Sequence, residues 1–238
     1  MLPTRNWLLC LSLVACHAVV ATADDGMISL FDGKTLDGWT QYGGKAKYTA
    51  NDGVIVGTSV PNSPNSFLAT TKKYGDFILE YEFKVDNELN SGVQIRSNVY
   101  DKPMTYDTGK KKIKVGAGRV HGYQVEIDPN KPTRLWAGGI YDEGRRGWLY
   151  PGQKGGDGKA FTAQGQKIYK MDGWNKVRVE AKGDSIRTYL NGELRADFKD
   201  DMTPKGFIAL QVHGVGGRKD PLTAMWRNIR IKPLDHDE

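Results

Sequence analysis

Phe77-Ile78-Leu79-Glu80-Tyr81-Glu82-Phe83-Lys84-Val85 alternates apolar and charged residues without a break. Phe77, Leu79, Tyr81, Phe83 and Val85 fall on one face, and Glu80, Glu82 and Lys84 on the other. This is the two-residue period of a half-buried strand. The same alternation returns in Val177-Arg178-Val179-Glu180-Ala181 and Ile186-Arg187-Thr188-Tyr189-Leu190, which Lys182-Gly183-Asp184 joins as a hairpin. Asn191-Gly192 then turns the chain into Glu193-Leu194-Arg195-Ala196-Asp197-Phe198, and Asp52-Gly53 sits between two further short strands. No segment longer than about ten residues keeps a helical period without Gly or Pro. The pattern predicts an all-β chain, a sandwich or a barrel. Asp101 to Gly118 and Gly144 to Gln166 are rich in Gly and Lys and weakly patterned, and read as long loops.

The chain has 238 residues. Near its start, Arg5 precedes the apolar run Trp7-Leu8-Leu9-Cys10-Leu11-Ser12-Leu13-Val14-Ala15, too short to span a bilayer but suited to the core of a signal peptide. Ala21-Thr22-Ala23 offers a cleavage site, so residues 1–23 read as an export segment and residues 24–238 as a single β-sandwich domain. Leu13-Val14-Ala15-Cys16 also resembles a lipoprotein box, which would anchor an exported protein at Cys16; apolar residues continuing past it favour cleavage after Ala23. Either way the expected location is periplasmic or extracellular. No other segment is apolar enough to span a membrane. Both cysteines, Cys10 and Cys16, lie in the export segment. Cleavage after Ala23 leaves no disulfide framework, no Cys-ligated zinc and no thiol nucleophile.

The net charge is +6, from 34 basic and 28 acidic residues. Part of the excess is local: Lys102, Lys110, Lys111, Lys112, Lys114 and Arg119 fall in one loop region. A solvated loop explains this, and attraction to an anionic glycan is the functional alternative. No nucleic-acid motif accompanies the patch, so nucleic acid is not an expected partner. The sequence sets no oligomeric state.

Three strands carry an unusual polar face. Val93-Gln94-Ile95-Arg96-Ser97-Asn98 puts Gln94, Arg96 and Asn98 together. Tyr123-Gln124-Val125-Glu126-Ile127-Asp128 sets Gln124, Glu126 and Asp128 opposite three apolar residues. In Phe207-Ile208-Ala209-Leu210-Gln211-Val212-His213, Gln211 and His213 oppose Ile208, Leu210 and Val212. Outward faces of antiparallel sheets are commonly polar, but amides, His and Arg among carboxylates suit recognition of hydroxyl groups. Trp136, Tyr141 and Trp148 are candidates for stacking on a sugar, whereas Trp39, Trp174 and Trp226 read as core. Val125 to Lys131 begins like the E-x-D-x-x-E strand of laminarinase-like glucanases, with Lys131 where the second catalytic glutamate would stand.

Leu30-Phe31-Asp32-Gly33-Lys34-Thr35-Leu36-Asp37-Gly38-Trp39, Asn90-Ser91-Gly92-Val93-Gln94-Ile95-Arg96-Ser97 and Gly122-Tyr123-Gln124-Val125-Glu126-Ile127-Asp128 follow in order. Trp174-Asn175 with Leu190-Asn191-Gly192, then Leu210-Gln211-Val212-His213-Gly214 and Trp226-Arg227-Asn228-Ile229-Arg230-Ile231, complete the series. This resembles the 3-keto-disaccharide hydrolase domain family across nearly all of residues 24–238. The resemblance implies a concanavalin A-like jelly-roll β-sandwich of two antiparallel sheets. It also implies hydrolysis of glycosides already oxidised at C3. The chain departs from the family pattern in three places: the usual Glu and Gln are exchanged, as Gln124 and Glu126; Val212 replaces an acidic residue; and Trp226 replaces a Phe.

A C3 ketone acidifies the C2 proton, so such a substrate needs one base, a donor or cation for the enolate, and an acid for the leaving group. The candidates are Glu126 or His213 as base, Arg96 at the enolate, and Asp128 or Tyr141 as acid. Gln94, Asn98, Gln124, Tyr141, Trp148 and Gln211 are the expected binding residues. A divalent metal at the carbonyl is compatible with this chemistry, although no ligand spacing demands one. The alternatives are a non-catalytic carbohydrate-binding module and a glucanase acting on unoxidised sugar, which needs two carboxyls about 5–9.5 Å apart.

Overall fold

The computed structural model describes residues 26–109 and 111–234. The export segment, with Cys10 and Cys16, and Lys110 of the basic loop lie outside the described residues.

Among the described residues, seventeen strands and one helix follow in order. They are β1 (Ile28–Ser29), β2 (Trp39–Gly43), β3 (Lys47–Asn51), β4 (Val54–Thr58), β5 (Ser66–Thr70), β6 (Phe77–Val85), β7 (Ser91–Asn98), β8 (Met104–Asp107), β9 (Lys112–Val115), β10 (His121–Ile127), β11 (Ile140–Glu143), β12 (Gly147–Tyr150), α1 (Gly158–Ile168), β13 (Asn175–Lys182), β14 (Ser185–Leu190), β15 (Glu193–Lys199), β16 (Phe207–Val212) and β17 (Thr223–Pro233). Two large antiparallel sheets result. One runs β15-β14-β13-β6-β17-β4-β3 with β1 added on β17; the other runs β12-β11-β10-β7-β16-β5-β2. The jelly-roll sandwich expected from sequence is the fold found.

Residues Phe77 to Val85 alternate buried and half-buried along β6, as their sequence predicts. Their apolar side meets Val93 and Ile95 of β7, Tyr123, Val125 and Ile127 of β10, and Leu210 and Val212 of β16 in one core between the sheets. The turns also follow the sequence. Asp52 and Gly53, and Asn191 and Gly192, all have positive φ, which suits two-residue hairpins. Trp39 and Trp226 are buried; Trp174 is half-buried beneath the Arg227 guanidinium, 4.1 Å from its ring centroid.

Both expected long loops contain structure. Met104–Asp107 and Lys112–Val115 pair as a hairpin, with Lys111, Lys112 and Lys114 exposed. The Gly144 to Gln166 region holds β12 and most of α1. Asp157 caps the helix by accepting from the Ala160 amide at 2.7 Å. Only Phe161 and Gly165 of the helix are buried, so it carries no apolar stripe to read. Its dock is Arg195, which donates to the Phe161 carbonyl and to Gln164 Oε1 at 2.9 and 2.7 Å.

A bulge in β7 decides which residues face the site. Between Phe207 and Ala209 on β16, the partners on β7 step from Ser97 to Gln94. Arg96 has φ +46°, and its side chain turns away from Gln94.

Candidate functional site

The β10-β7-β16 floor is deeply covered: every residue of these three strands is buried. Inward lies the core, and outward lies a cavity of about 430 Å³. Glu126, Gln124, Tyr141, Trp148, Gln211 and His213 all line it, which brings together six of the residues expected from sequence. Asn90, Arg119, Lys131, Arg134 and Glu143 join them.

Glu126 stands at the end of a directed line of hydrogen bonds. Ser97 Oγ donates to Gln94 Oε1 at 2.8 Å, and Gln94 Nε2 donates to Gln124 Oε1. Gln124 Nε2 donates to Glu126 Oε2 at 3.0 Å, and Asn90 Nδ2 donates to Glu126 Oε1. Gly92 is what lets Gln124 lie across the floor, because a Cβ there would sit 2.6 Å from the Gln124 side chain. Burial pushes the Glu126 carboxyl up to about 7, and the neighbouring Asp128 adds to the rise; the amide donors and Arg134 oppose it. A carboxyl at that value exchanges protons near neutral pH, as a general base or acid must. Gln94 is thus a support beneath the floor rather than a lining residue.

Gln211 is fully buried, yet neither Oε1 nor Nε2 has a hydrogen-bond partner in the protein. Unpaired buried amides are costly and uncommon. His213 is exposed at the cavity edge, and its Nδ1 lies 2.8 Å from the Gly214 carbonyl oxygen. A carbonyl only accepts, so Nδ1 carries a proton in that contact.

Two expected residues are elsewhere. The Arg96 side chain crosses to the opposite sheet, where it donates to the Gly75 and Gly183 carbonyls and to Asp76 Oδ1, each at 2.7 Å. The bulge at its own backbone reverses the strand parity on which its site role depended. Asn98, past the same bulge, accepts from Lys73 Nζ at 2.8 Å and donates to the Lys205 carbonyl at 3.1 Å, away from the cavity.

Asp128 is buried, and Arg134 Nε and Nη2 grip its Oδ2 at 2.9 and 2.7 Å. Burial raises the Asp128 carboxyl, against the pull of Arg134. That guanidinium lies 4.8 Å from the Trp136 ring and 4.9 Å from Trp148, so carboxylate and rings hold it at the cavity wall. The Tyr141 and Trp148 rings meet edge to face at 5.5 Å, and burial raises the Tyr141 hydroxyl, which stays protonated at neutral pH. Sequence reasoning missed Arg134, Asn90 and Glu143. Arg134 follows Pro132 in a turn without periodicity, and Asn90 precedes its strand. Glu143 pairs with Arg119 at 2.7 Å.

A model of the 3-keto-alpha-glucoside-1,2-lyase-like domain matches residues 26–232. The chain belongs to that family. The family is hydrolase-like and acts on carbohydrate. The chain is 27% identical over 251 residues to the 3-keto-disaccharide hydrolase of Bacteroides thetaiotaomicron, covering 89% of this chain and 79% of that protein. Among solved structures, a candidate glycosyl hydrolase of Parabacteroides distasonis superposes with a TM-score of 0.56 at 21% identity, over 91% of this chain and 99% of that one. Carbohydrate-binding module CBM66 of Bacillus subtilis follows with a TM-score of 0.50 at 16% identity, over 82% and 95%. These two share the fold. In this member of the family, Glu126 holds the cavity position and Gln124 serves as its donor, so the exchange noted in sequence keeps one carboxyl and one amide in contact.

Among the described residues, no group of three or more His, Cys, Asp or Glu side chains is placed to hold a metal ion. No helix among them is long and apolar enough to cross a membrane.

Proposed function

We propose that this protein cleaves glycosides already oxidised to a ketone at C3, by C2 proton abstraction, elimination and hydration. The observation that carries this reading is Glu126, a buried carboxyl raised to about 7, hydrogen-bonded only by neutral amides and open to the cavity. Glu126 takes the C2 proton, and the electron pair forms an enolate on the C3 oxygen. As the ketone re-forms, the enolate's pair closes a C1=C2 double bond and the C1–O bond breaks; the departing oxygen keeps the C1–O bonding pair and takes a proton from Tyr141. Water then adds across C1 and C2 of the enone, so the net change is hydrolysis.

Arg134 supplies the cation for the enolate, the role that sequence parity would give Arg96. Asp128 is then a positioning residue, because its carboxylate orients that guanidinium. Gln211 binds the sugar's hydroxyl groups through its unpaired amide. His213, at the cavity edge, is the second candidate base to test against Glu126. One base suffices when the substrate brings its own ketone, which explains how Lys131 can occupy the glucanase acid position. Glu143, which also lines the cavity, is ion-paired with Arg119 at 2.7 Å rather than offered to a glycosidic oxygen.

The deciding experiment offers a 3-keto-disaccharide and its unoxidised parent, with and without chelator. Release of 3-keto-glucose from the oxidised sugar alone supports this function. Retention without release makes the domain a carbohydrate-binding module, and reducing ends from the parent make it a direct glycosidase. Full turnover by both Glu126→Gln and His213→Ala overturns the residue assignment. We also propose that residues 24–238 act after export as one domain. An N-terminus at Asp24 in the exported protein supports cleavage there, and a lipid on Cys16 overturns it.

A further inference from the structure

A second cavity, of about 390 Å³, opens beside the first. Asn65, Arg119 and Glu143 line both, so the two are compartments of one groove. Sheet register gives its direction. Glu126 pairs with Gly92, Gly92 with Gln211, Gln211 with Phe67, and Phe67 with Tyr42. These five residues form one row across the floor and share its outward face. From β10 to β5 the row spans three strand spacings, about 14 Å.

The row changes chemistry along its length. At the Glu126 end the groups are carboxyl and amide. At the far end, Phe67 joins Val120 and Phe207 in a small apolar cluster separate from the core, with Tyr42 stacked on Phe207 at 5.9 Å and 17°. Pro64, Gly43 and Gly118 complete the wall of the second cavity with no polar side chain. Of its three polar residues, Arg119 and Glu143 pair with each other, through Nη2 and Oε1 at 2.7 Å. Glu143 is nearly buried, and the pair lies where the two compartments meet.

We infer that the second cavity receives the leaving group, and that it selects a leaving group whose ring has an apolar face, an aromatic alcohol ahead of a second sugar. This rests on the cleavage proposed above for the first cavity. A sugar's hydroxyls need several partners, and beyond the Arg119–Glu143 pair this wall offers one polar side chain, Asn65, whose Oδ1 already accepts from the Gly214 amide at 3.0 Å. A flat ring over Phe67 and Pro64 needs none. The sugar over Glu126 and Gln211 would then direct its C1 substituent along the row.

The test compares the 3-keto derivatives of phenyl glucoside, a glucosyl-glucose disaccharide and methyl glucoside. The expected KM for the phenyl compound is about tenfold below that for the methyl compound, with the disaccharide between them. Phe67→Leu should bring the phenyl-to-methyl ratio toward one. Pro64→Ser, at an exposed wall position, should move it the same way if Phe67→Leu fails to fold. Equal KM for phenyl and methyl compounds overturns the inference, as does a disaccharide preferred to both or a ratio that neither variant changes. If no 3-keto compound is cleaved, the cleavage reading has failed, and calorimetry with the unoxidised glucosides still decides the cavity. Tighter binding of phenyl than methyl glucoside, reduced by either variant, supports it; equal binding overturns it.

Discussion

β6 and β10 both place acidic residues on alternate positions opposite an apolar face, yet their carboxyls are driven in opposite directions. On β6, burial pushes Glu80 up, but Arg178, Lys176 and Arg230 outweigh it and hold the group below its ordinary value. Burial likewise works against Asn228 and Arg227 at Glu82, and again the partners win. On β10, Glu126 is almost fully covered and receives only amide hydrogen bonds, so burial wins. The partners, and the depth at which they are met, separate an ion-paired outer surface from a proton-exchanging group. Identical strand patterns therefore carry different chemistry, depending on what the rest of the chain lays over them.

The sharpest way to break this comparison is substitution. Glu126→Gln should lower turnover of a 3-keto-glucoside by roughly 10²–10⁴-fold, the usual contribution of a general base. Glu80→Gln should leave turnover intact and cost no more than about 1 kcal/mol in denaturant unfolding. A second contrast sets Arg96 against Arg134. Arg96→Met removes a buried guanidinium from two carbonyls and Asp76, and should cost about 3 kcal/mol of stability while the folded fraction keeps its kcat. Arg134→Met should instead bring a large fall in kcat, together with the stability cost of leaving buried Asp128 without its partner.

Acidity gives the next contrast. Glu126 binds its proton more tightly folded than unfolded, so its contribution to stability is present at low pH. That contribution falls as pH rises from about 4.5 to about 7, by up to ~3 kcal/mol. Glu80 and Glu82 have the opposite sign: their contribution is present at neutral pH and lost on acidification. Unfolding curves against pH should flatten above pH 4.5 in Glu126→Gln. In the same range, kcat/KM of the native protein should rise toward a plateau above about pH 7 as the base ionises. The smallest expected effect is that of Lys131→Glu. Lys131 lies in the turn beyond Ile127, the last residue of β10, so a carboxylate there should confer no release of reducing ends from laminarin.

Much of the fold was legible because burial repeats with the strand period. Phe77 to Val85 read correctly from alternation alone, and the turn residues marked the hairpins at Asp52-Gly53 and Asn191-Gly192. The helix did not, because Gly158 to Ile168 buries only Phe161 and Gly165 and so carries no period to detect. The site divides in the same way. Gln124, Glu126, Gln211 and His213 were found by parity, because their strands are regular where those residues sit. Arg96 was misplaced because parity fails at a bulge, and Arg134 was missed because a turn has no parity at all.

The sequence by itself determined the two-sheet architecture, the family and the carboxyl on β10, since each rests on local spacing or on motifs in order. Only the tertiary structure decided which guanidinium lines the cavity beside that carboxyl, that Asp128 is committed to the guanidinium, and that the floor continues from Glu126 to Phe67. Those facts depend on pairing between strands distant in sequence, and on a single added residue in β7 that turns one side chain through the sheet. A linear pattern records which face a residue prefers, whereas the environment it meets there is set by chain that folds in from elsewhere.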